Sequence, residues 1–502
     1  MGFTHLTNVI AAVSLITAMW VALRVSVRAW VRPVASLALD FAIILLGWGL
    51  LLCLTARPLV SAVVIIGAGI GLIVVDKVKR AVLREPVVFA DRAELLEIVR
   101  HPRLYLPFAG TGRVLAGAGL ILAGFMGLLV IEPPLWPFSP VPPLLGVAWV
   151  VTLFTLPAHP ALLPRIQRIY ERLAPSRDPV HDATRFGLLA GFVIHATIAR
   201  AERPQRRAGL TPKQTSGVSK PGAIVLVQSE SFFDVARLDP ALTDAVLPAF
   251  SACRAESLQS GRLVVPCWGA NTIRSEFAVL TGLPEARLGL DRFNPYADFA
   301  HVPIESLAWR ARAAGWRTVC VHPFDLSFYG RNRVLPMLGF ETLIGPEAFT
   351  SAALGGFYVR DQALAQRIAT LLDETRENVL VLAITMEGHG PWDAGEEIAL
   401  PPSLGDIPEH AALSRFLFRQ RSADQSLLTL TDALRRRHGR GVLGFYGDHQ
   451  PSLPKAFAAL GHNDERTDYM IWQSDVTGPN ERRDLAAHEL GQAIAQAAGL
   501  PD

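Results

Sequence analysis

Cysteine is scarce in this chain: four in 502 residues, Cys53, Cys253, Cys267 and Cys320. That number is too small for a disulfide-framed secreted fold. Cys253 and Cys267 could pair in an oxidising compartment; buried thiols are the other reading. Net charge is nearly absent too, +3 at pH 7, so nothing points to nucleic acid as a partner. The first apolar run lacks a small-residue cleavage site followed by a polar mature start. It therefore reads as an anchor and not as a removed signal peptide.

What the chain has in excess is apolar residues. They make up 50% of the sequence, with a mean hydropathy of +0.30, and the surplus lies in the first third. Uncharged apolar runs cover residues 8–23, 41–56, 58–75, 114–131 and 144–163. Spanning a bilayer takes about 20 residues, which each run reaches once its flanks are counted. A soluble helical domain is the alternative, but several helices apolar all round do not suit water. The expectation is an integral membrane protein with a bundle of about five transmembrane helices in residues 1–163.

Residues 164–220 read as an amphipathic, basic linker. Arg165, Arg168, Arg172 and Arg177 come first, then an apolar stretch, 186–199, too short to span and expected to lie on the membrane surface. A polar stretch, 203–220, rich in turn formers, ends it. From residue 221 to 502 the texture changes. Segments 223–227, 318–321, 379–384 and 441–446 read as buried parallel strands, with helices such as 303–314 and 413–437 between them. This alternation predicts an α/β sheet covered on both faces, with ligands at the carboxyl ends of the strands.

Chemistry-bearing residues cluster just after those strands: Glu230, His322, the stretch from Thr385 to His389, and Asp448–His449. Two carboxylates and an imidazole suit a hard or borderline cation such as Mn²⁺, Mg²⁺ or Zn²⁺. Glu230, Asp448 and His449 would supply three ligands and the Thr272 hydroxyl a fourth. Coordination would lower the pKa of that hydroxyl and make Thr272 a nucleophile, which points to phosphoryl transfer. Arg331, His322 and His389 are candidates for stabilising phosphate charge. A structural role is the alternative for His322.

Three motifs carry a family resemblance: Gln228-Ser-Glu230-Ser-Phe, Asn271-Thr272-Ile-Arg-Ser-Glu-Phe277 and Asp448-His449. Residues 222–500 resemble the sulfatase-type catalytic domain of the alkaline phosphatase superfamily, more closely its lipoteichoic acid synthase and phosphoglycerol transferase branch. The resemblance implies a sulfatase-like α/β/α domain, with Glu230, Thr272, Asp448 and His449 as metal site and Thr272 as catalytic nucleophile. It implies His322, Tyr329, Arg331 and His389 on the substrate side, His389 also as a catalytic proton donor. Tyr329 stands where tryptophan is common in that branch. Sulfatases proper use a Cys-x-Pro-x-Arg motif, and Cys267-Trp-Gly-Ala-Asn271 lacks its proline and arginine, so sulfate-ester hydrolysis is not expected.

The implied function is metal-dependent transfer of phosphoglycerol from phosphatidylglycerol to an extracytoplasmic glycan or glycerol-phosphate polymer, with Mn²⁺ as the first choice of cation. Phosphoethanolamine transfer, a phosphodiesterase and a non-catalytic membrane scaffold are the alternatives. The family's cytoplasmic N-terminus and five spans put the catalytic domain outside the cell membrane. That arrangement also puts Arg24, Arg28, Arg32, Lys77, Lys79, Arg80 and Arg84 outside, against the positive-inside tendency. The segment from Glu85 to Arg92 resembles the family's outer linker after its third span.

Overall fold

The computed structural model describes residues 2–501 except 30–32, 138, 156–158, 214–221, 352–353 and 476–479. The expected start of the α/β domain at Pro221, residues 214–220 of the polar stretch before it, and Arg32 thus lie outside the described residues. The chain divides into two compact units, Met1–Pro204 and Gln205–Asp502.

The first unit is helical. Its long helices are α1 (Gly2–Ser26), α2 (Val34–Thr55), α3 (Pro58–Leu83) and α4 (Thr111–Ile131). Among the described residues these four are long and apolar enough to cross a membrane. Leu115, Leu120, Val130 and Ile131 of α4 are exposed, as lipid-facing side chains are, because hydrocarbon solvates them as well as protein does. The fifth apolar run is divided. Helix α5 (Val141–Thr155) has 15 residues, and the run then turns at His159, whose carbonyl accepts from the Leu162 and Leu163 amides at 2.9 and 3.0 Å. Pro160, with no amide hydrogen to continue a helix, sits in that turn, and α6 (Leu163–Glu171) starts beyond it. The chain is a membrane-anchored α/β protein, with four long apolar helices and shorter ones in its anchor.

Two buried carboxylates in this unit are well paired. Glu132 accepts from the amides of Leu59 and Val60, both at 2.9 Å, and so caps the otherwise unsatisfied start of α3. Asp40 of α2 takes Arg24 Nη1 at 2.8 Å, Trp20 Nε1 at 3.1 Å and the Ala190 amide at 3.0 Å. Ala190 belongs to α8 (Leu188–Arg207), which follows α7 (Pro179–Phe186). The apolar stretch 186–199, expected to lie on a membrane surface, is therefore a packed helix. Leu188, Ala190, Ile194 and Ile198 are buried, Leu188 against Val27, Ala29 and Ala183. Residues 203–207 of the expected polar tether are its last turn.

The second unit is built on strands β1 (Gly222–Ser229), β2 (Gln259–Val264), β3 (Arg317–Val321), β4 (Thr342–Ile344), β5 (Leu354–Gly355), β6 (Tyr358–Val359), β7 (Val379–Ile384), β8 (Arg440–Gly447), β9 (Thr467–Gln473), β10 (Glu481–Arg482) and β11 (Leu485–Ala486). The main sheet runs β10-β2-β9-β8-β1-β7-β3-β4, with β11 beside β2; β5 and β6 form a separate ribbon. The four strands expected from sequence are adjacent and parallel, in the order β8, β1, β7, β3. The sheet is mixed, because β9 is antiparallel to both β8 and β2.

Alternation of side chains along a strand splits β1 between two cores. Ala223, Val225 and Val227 pack on one face, with α11 (Asp361–Glu374) and α12 (His410–Arg436). Ile224 and Leu226 pack on the other, with α9 (Thr272–Thr281) and α13 (Ala487–Ala498). Helix α10 (Arg331–Met337) lies on this second side through Val334 and Leu335. Every residue of β7 is buried, which is why it reads as an unbroken apolar run.

Candidate metal and phosphoryl-transfer site

Because β8, β1, β7 and β3 are parallel neighbours, the residues that follow them emerge at one end of the sheet. Glu230 follows β1, Asp448 and His449 follow β8, Thr385 to His389 follow β7, and His322 follows β3. Two close backbone approaches hold these loops together. A Cβ on Gly447 would lie 1.8 Å from the Phe232 carbonyl oxygen, and one on Gly388 would lie 2.3 Å from that of Glu230. Only glycine fits such contacts. Ser231 adopts a left-handed φ of 57° in the turn beside Glu230, stabilised by the Ser231 amide donating to Asp448 Oδ1 at 2.8 Å.

Glu230, Asp448 and His449 are all buried, and one ligand atom from each lies within 4.8 Å of the others. His449 Nε2 is 3.5 Å from Glu230 Oε1 and 3.5 Å from Asp448 Oδ2. His449 Nδ1 donates to the Gln450 carbonyl at 3.0 Å, so in the neutral ring Nε2 carries the lone pair. Asp448 Oδ2 and His449 Nε2 are buried with no hydrogen-bond partner among the described residues. Burial, and then the charge of Glu230, push the Asp448 carboxyl up to about 7 against the opposing pull of His449, the Ser231 amide and the Thr272 hydroxyl. Burial opposes charge on His449, yet Asp448 and Glu230 outweigh it and raise its pKa. Orphaned acceptors of this kind are rare inside proteins, and this set fits a divalent cation.

Thr272 is the first residue of α9 and is buried, and its hydroxyl lies close enough to the Asp448 carboxyl to lower that group's pKa. The preceding Asn271 takes a left-handed φ of 65°, which asparagine tolerates well. Ser275, on the same helix, donates to the Asp448 carbonyl at 2.6 Å. The four cysteines form no disulfide. Cys267, in the loop before Thr272, is a buried thiol 3.5 Å from the Asn271 carbonyl oxygen.

The other sequence candidates fall into two groups. Arg331 is buried and ion-paired with Glu276 at 2.9 Å, and its Nη1 donates to His322 Nε2 at 3.3 Å. His322 Nδ1 donates to the Ile384 carbonyl at 3.1 Å, so both ring nitrogens are engaged. Burial, then the charge of Arg331, hold the His322 pKa well below its ordinary value; this is a neutral histidine. Tyr329 is only partly buried, with the Arg331 guanidinium carbon 5.5 Å from its ring centre.

His389 forms the second group. Its Nδ1 donates to the Gly390 carbonyl at 2.6 Å and lies 3.3 Å from the Tyr358 hydroxyl, which leaves Nε2 as the basic nitrogen. Tyr358 sits on the β5–β6 ribbon, and no sequence signal marked it. Burial and then the negative charge of Glu230 raise its pKa, which ties it electrostatically to the cation site.

Comparison with known proteins agrees on the fold and family. The Sulfatase family model matches residues 223–500. The chain is 28% identical over 436 residues to the capsular polysaccharide biosynthesis protein RkpI of Rhizobium meliloti, covering 83% of this chain and 77% of that protein. It is 29% identical over 290 residues to a putative cyclic beta-1,2-glucan modification protein of the same organism, 54% of this chain and 44% of that one. Among solved structures, the Streptococcus pyogenes phosphoglycerol transferase GacH, in complex with sn-glycerol-1-phosphate, is similar with a TM-score of 0.45 and 19% identity, over 61% of this chain and 80% of that one. The family match runs from the first strand of the sheet to just past its last helix, and the chain therefore belongs to the sulfatase family.

Proposed function

We propose that this chain is a phosphoglycerol transferase, which moves the headgroup of phosphatidylglycerol to an extracytoplasmic glycan or glycerol-phosphate polymer through a phospho-threonine at Thr272. The observation that carries the reading is the buried triad of Glu230, Asp448 and His449, whose Asp448 Oδ2 and His449 Nε2 lack partners among the described residues, with the Thr272 hydroxyl close enough to Asp448 to lower its pKa. A divalent cation, Mn²⁺ by preference, held by Glu230, Asp448, His449 and the Thr272 hydroxyl would supply Lewis-acid chemistry and take up phosphate charge.

The rest falls to the chain's own groups. The Thr272 oxygen, its proton released to solvent, bonds to the headgroup phosphorus while the bond to the glyceride oxygen breaks, releasing diacylglycerol and leaving glycerophospho-threonine. The acceptor oxygen then bonds to that phosphorus as the Thr272 bond breaks, and Thr272 regains a proton. Thr272 opens a helix, and the amide groups there favour a phosphate. Nε2 of His389 protonates the leaving oxygen and then takes the proton of the acceptor hydroxyl. Tyr329, the most accessible of the three headgroup candidates, makes the contact, with His322 and Arg331 shaping the site as a neutral ring and a fixed cation. The four long apolar helices hold the domain at its lipid donor, on the outer face of the cell membrane. A glycan acceptor is supported by the names of the two rhizobial relatives, both of which concern surface or cyclic glycans. The absence of disulfides favours this donor over phosphatidylethanolamine, whose transferases tend to be disulfide-rich.

The test is to incubate full-length wild type and Thr272→Ala with fluorescent phosphatidylglycerol and Mn²⁺, following diacylglycerol release and intact mass. Release by wild type alone, with a glycerophosphate adduct on Thr272, is expected. Cleavage of phosphatidylethanolamine instead would move the donor, and release by Thr272→Ala at the wild-type rate would sink the nucleophile.

A further inference from the structure

A second buried polar assembly joins the elements that carry the cation ligands, and its central residue takes no part in the proposed transfer. Its centre is Glu276, one helical turn after Thr272 on α9 and fully buried. Glu276 Oε2 accepts from Arg331 Nη2 at 2.9 Å, from Arg331 Nε at 3.2 Å and from Gln228 Nε2 at 3.1 Å. Oε1 accepts from the Tyr296 hydroxyl at 2.6 Å. The Gln228 side-chain oxygen in turn accepts from the Tyr446 hydroxyl, its cross-strand neighbour in the sheet.

The membership of this network is informative. Glu276 is four residues after Thr272, Gln228 is two before Glu230, and Tyr446 is two before Asp448. Every element that delivers the nucleophile or a carboxylate ligand thus contributes one partner. The chain of contacts continues through Arg331 Nη1 to His322 and on to the Ile384 carbonyl, reaching the ends of β3 and β7 as well. A buried ion pair is a weak device for stability, because apolar residues of the same volume would fill the space without desolvating two charges. A fully satisfied polar network does, however, specify one arrangement of its members.

We infer that Glu276 is a positioning residue, which sets the Thr272 hydroxyl in register with the Glu230 and Asp448 carboxylates and holds the Arg331 guanidinium in its orientation. The inference deepens the reading of Thr272 as nucleophile and rests on it. Groups behind the ligands of a metal tune affinity and activity by orienting those ligands, and misplacement of a reacting group by about 1 Å can cost about 10²-fold in rate.

Two variants of the full-length protein in detergent test this. Glu276→Gln keeps the shape and removes the charge; Tyr446→Phe removes one hydroxyl and keeps the ring. Each is first checked for fold by circular dichroism, then titrated with Mn²⁺ by calorimetry, then assayed on fluorescent phosphatidylglycerol. Glu276→Gln is expected to weaken Mn²⁺ about tenfold or more and to lower kcat by a larger factor than it raises KM, with Tyr446→Phe moving both in the same direction by less. Folded variants with wild-type Mn²⁺ affinity and wild-type kcat would overturn the inference. If Glu276→Gln does not fold, Tyr446→Phe decides by the same criteria. Wild type that binds Mn²⁺ but leaves the lipid intact would refute the donor and not the positioning role, which the Mn²⁺ titrations still decide. Wild type that binds no Mn²⁺ would refute the cation site and this role together.

Discussion

His449 Nε2 and Asp448 Oδ2 face each other at 3.5 Å in the protein interior, and neither has a hydrogen-bond partner among the described residues. In the neutral ring both atoms are acceptors, and Glu230 Oε1 stands at the same distance from the imidazole. Without a cation, protons must make up the difference. That substitution of protons for a metal makes the site sensitive to pH.

The sign follows from Asp448. Its folded pKa, about 7, lies above the ordinary carboxylate value of 3.8, so in the metal-free protein its contribution to stability is full below 3.8 and is lost as pH rises toward 7. Cation binding displaces those protons and runs the other way. The rise in melting temperature on adding Mn²⁺ is expected to be small at about pH 5 and to grow through pH 7. Thermal scans with Mn²⁺ and with EDTA across that range check it; a pH-independent shift would contradict the assignment.

Thr272→Ala removes the nucleophile while leaving three cation ligands. Diacylglycerol release is expected to fall by at least about 10³-fold, as for loss of other catalytic nucleophiles, with the fold retained. Stopped release together with an unchanged melting temperature is the expected pair of results.

Gly447→Ala tests the packing that aims Asp448. The added methyl would sit 1.8 Å from the Phe232 carbonyl oxygen, so strand β8 or the turn after β1 must shift. Destabilisation beyond about 3 kcal/mol, or failure to fold, is expected. A variant of wild-type melting temperature would show that the approach is not obligatory.

In the membrane unit, Asp40→Ala would leave Arg24 buried without its carboxylate partner, at a cost of about 3–5 kcal/mol. Arg24→Met on the same background is expected to restore part of the loss. Unfolding of the two variants in detergent, followed by heat or denaturant, measures the difference.

Much of the architecture is legible along the chain because it depends on local pattern. Apolar runs that need no partner to be recognised mark α1 to α4. Continuous, largely apolar segments mark β1, β3, β7 and β8, and the residues just past them become site candidates by position alone. The fifth apolar run misleads, since composition continues through Pro160 while the helix does not. The stretch 186–199 misleads for a different reason: its apolar face is covered by other residues of its own unit, which amphipathicity cannot distinguish from a membrane surface. Strands β2 and β9 carry too few residues in a distinctive pattern to be assigned, and they turn the expected parallel sheet into a mixed one.

Residue types and strand ends are local properties, so the side chains able to do chemistry, and their places after strands, are readable along the chain. Which of them share a site depends on long-range packing. Strand order brought Glu230 beside Asp448 and His449 across more than 200 residues, and the missing partners of Asp448 Oδ2 and His449 Nε2 appear only once the surrounding atoms are in place. Glu276 makes the same point. It is visible in the Ser-Glu-Phe motif, but its pairing with Arg331, Gln228 and Tyr296 is a long-range contact, set by packing of a helix on a sheet and not by any spacing in the chain.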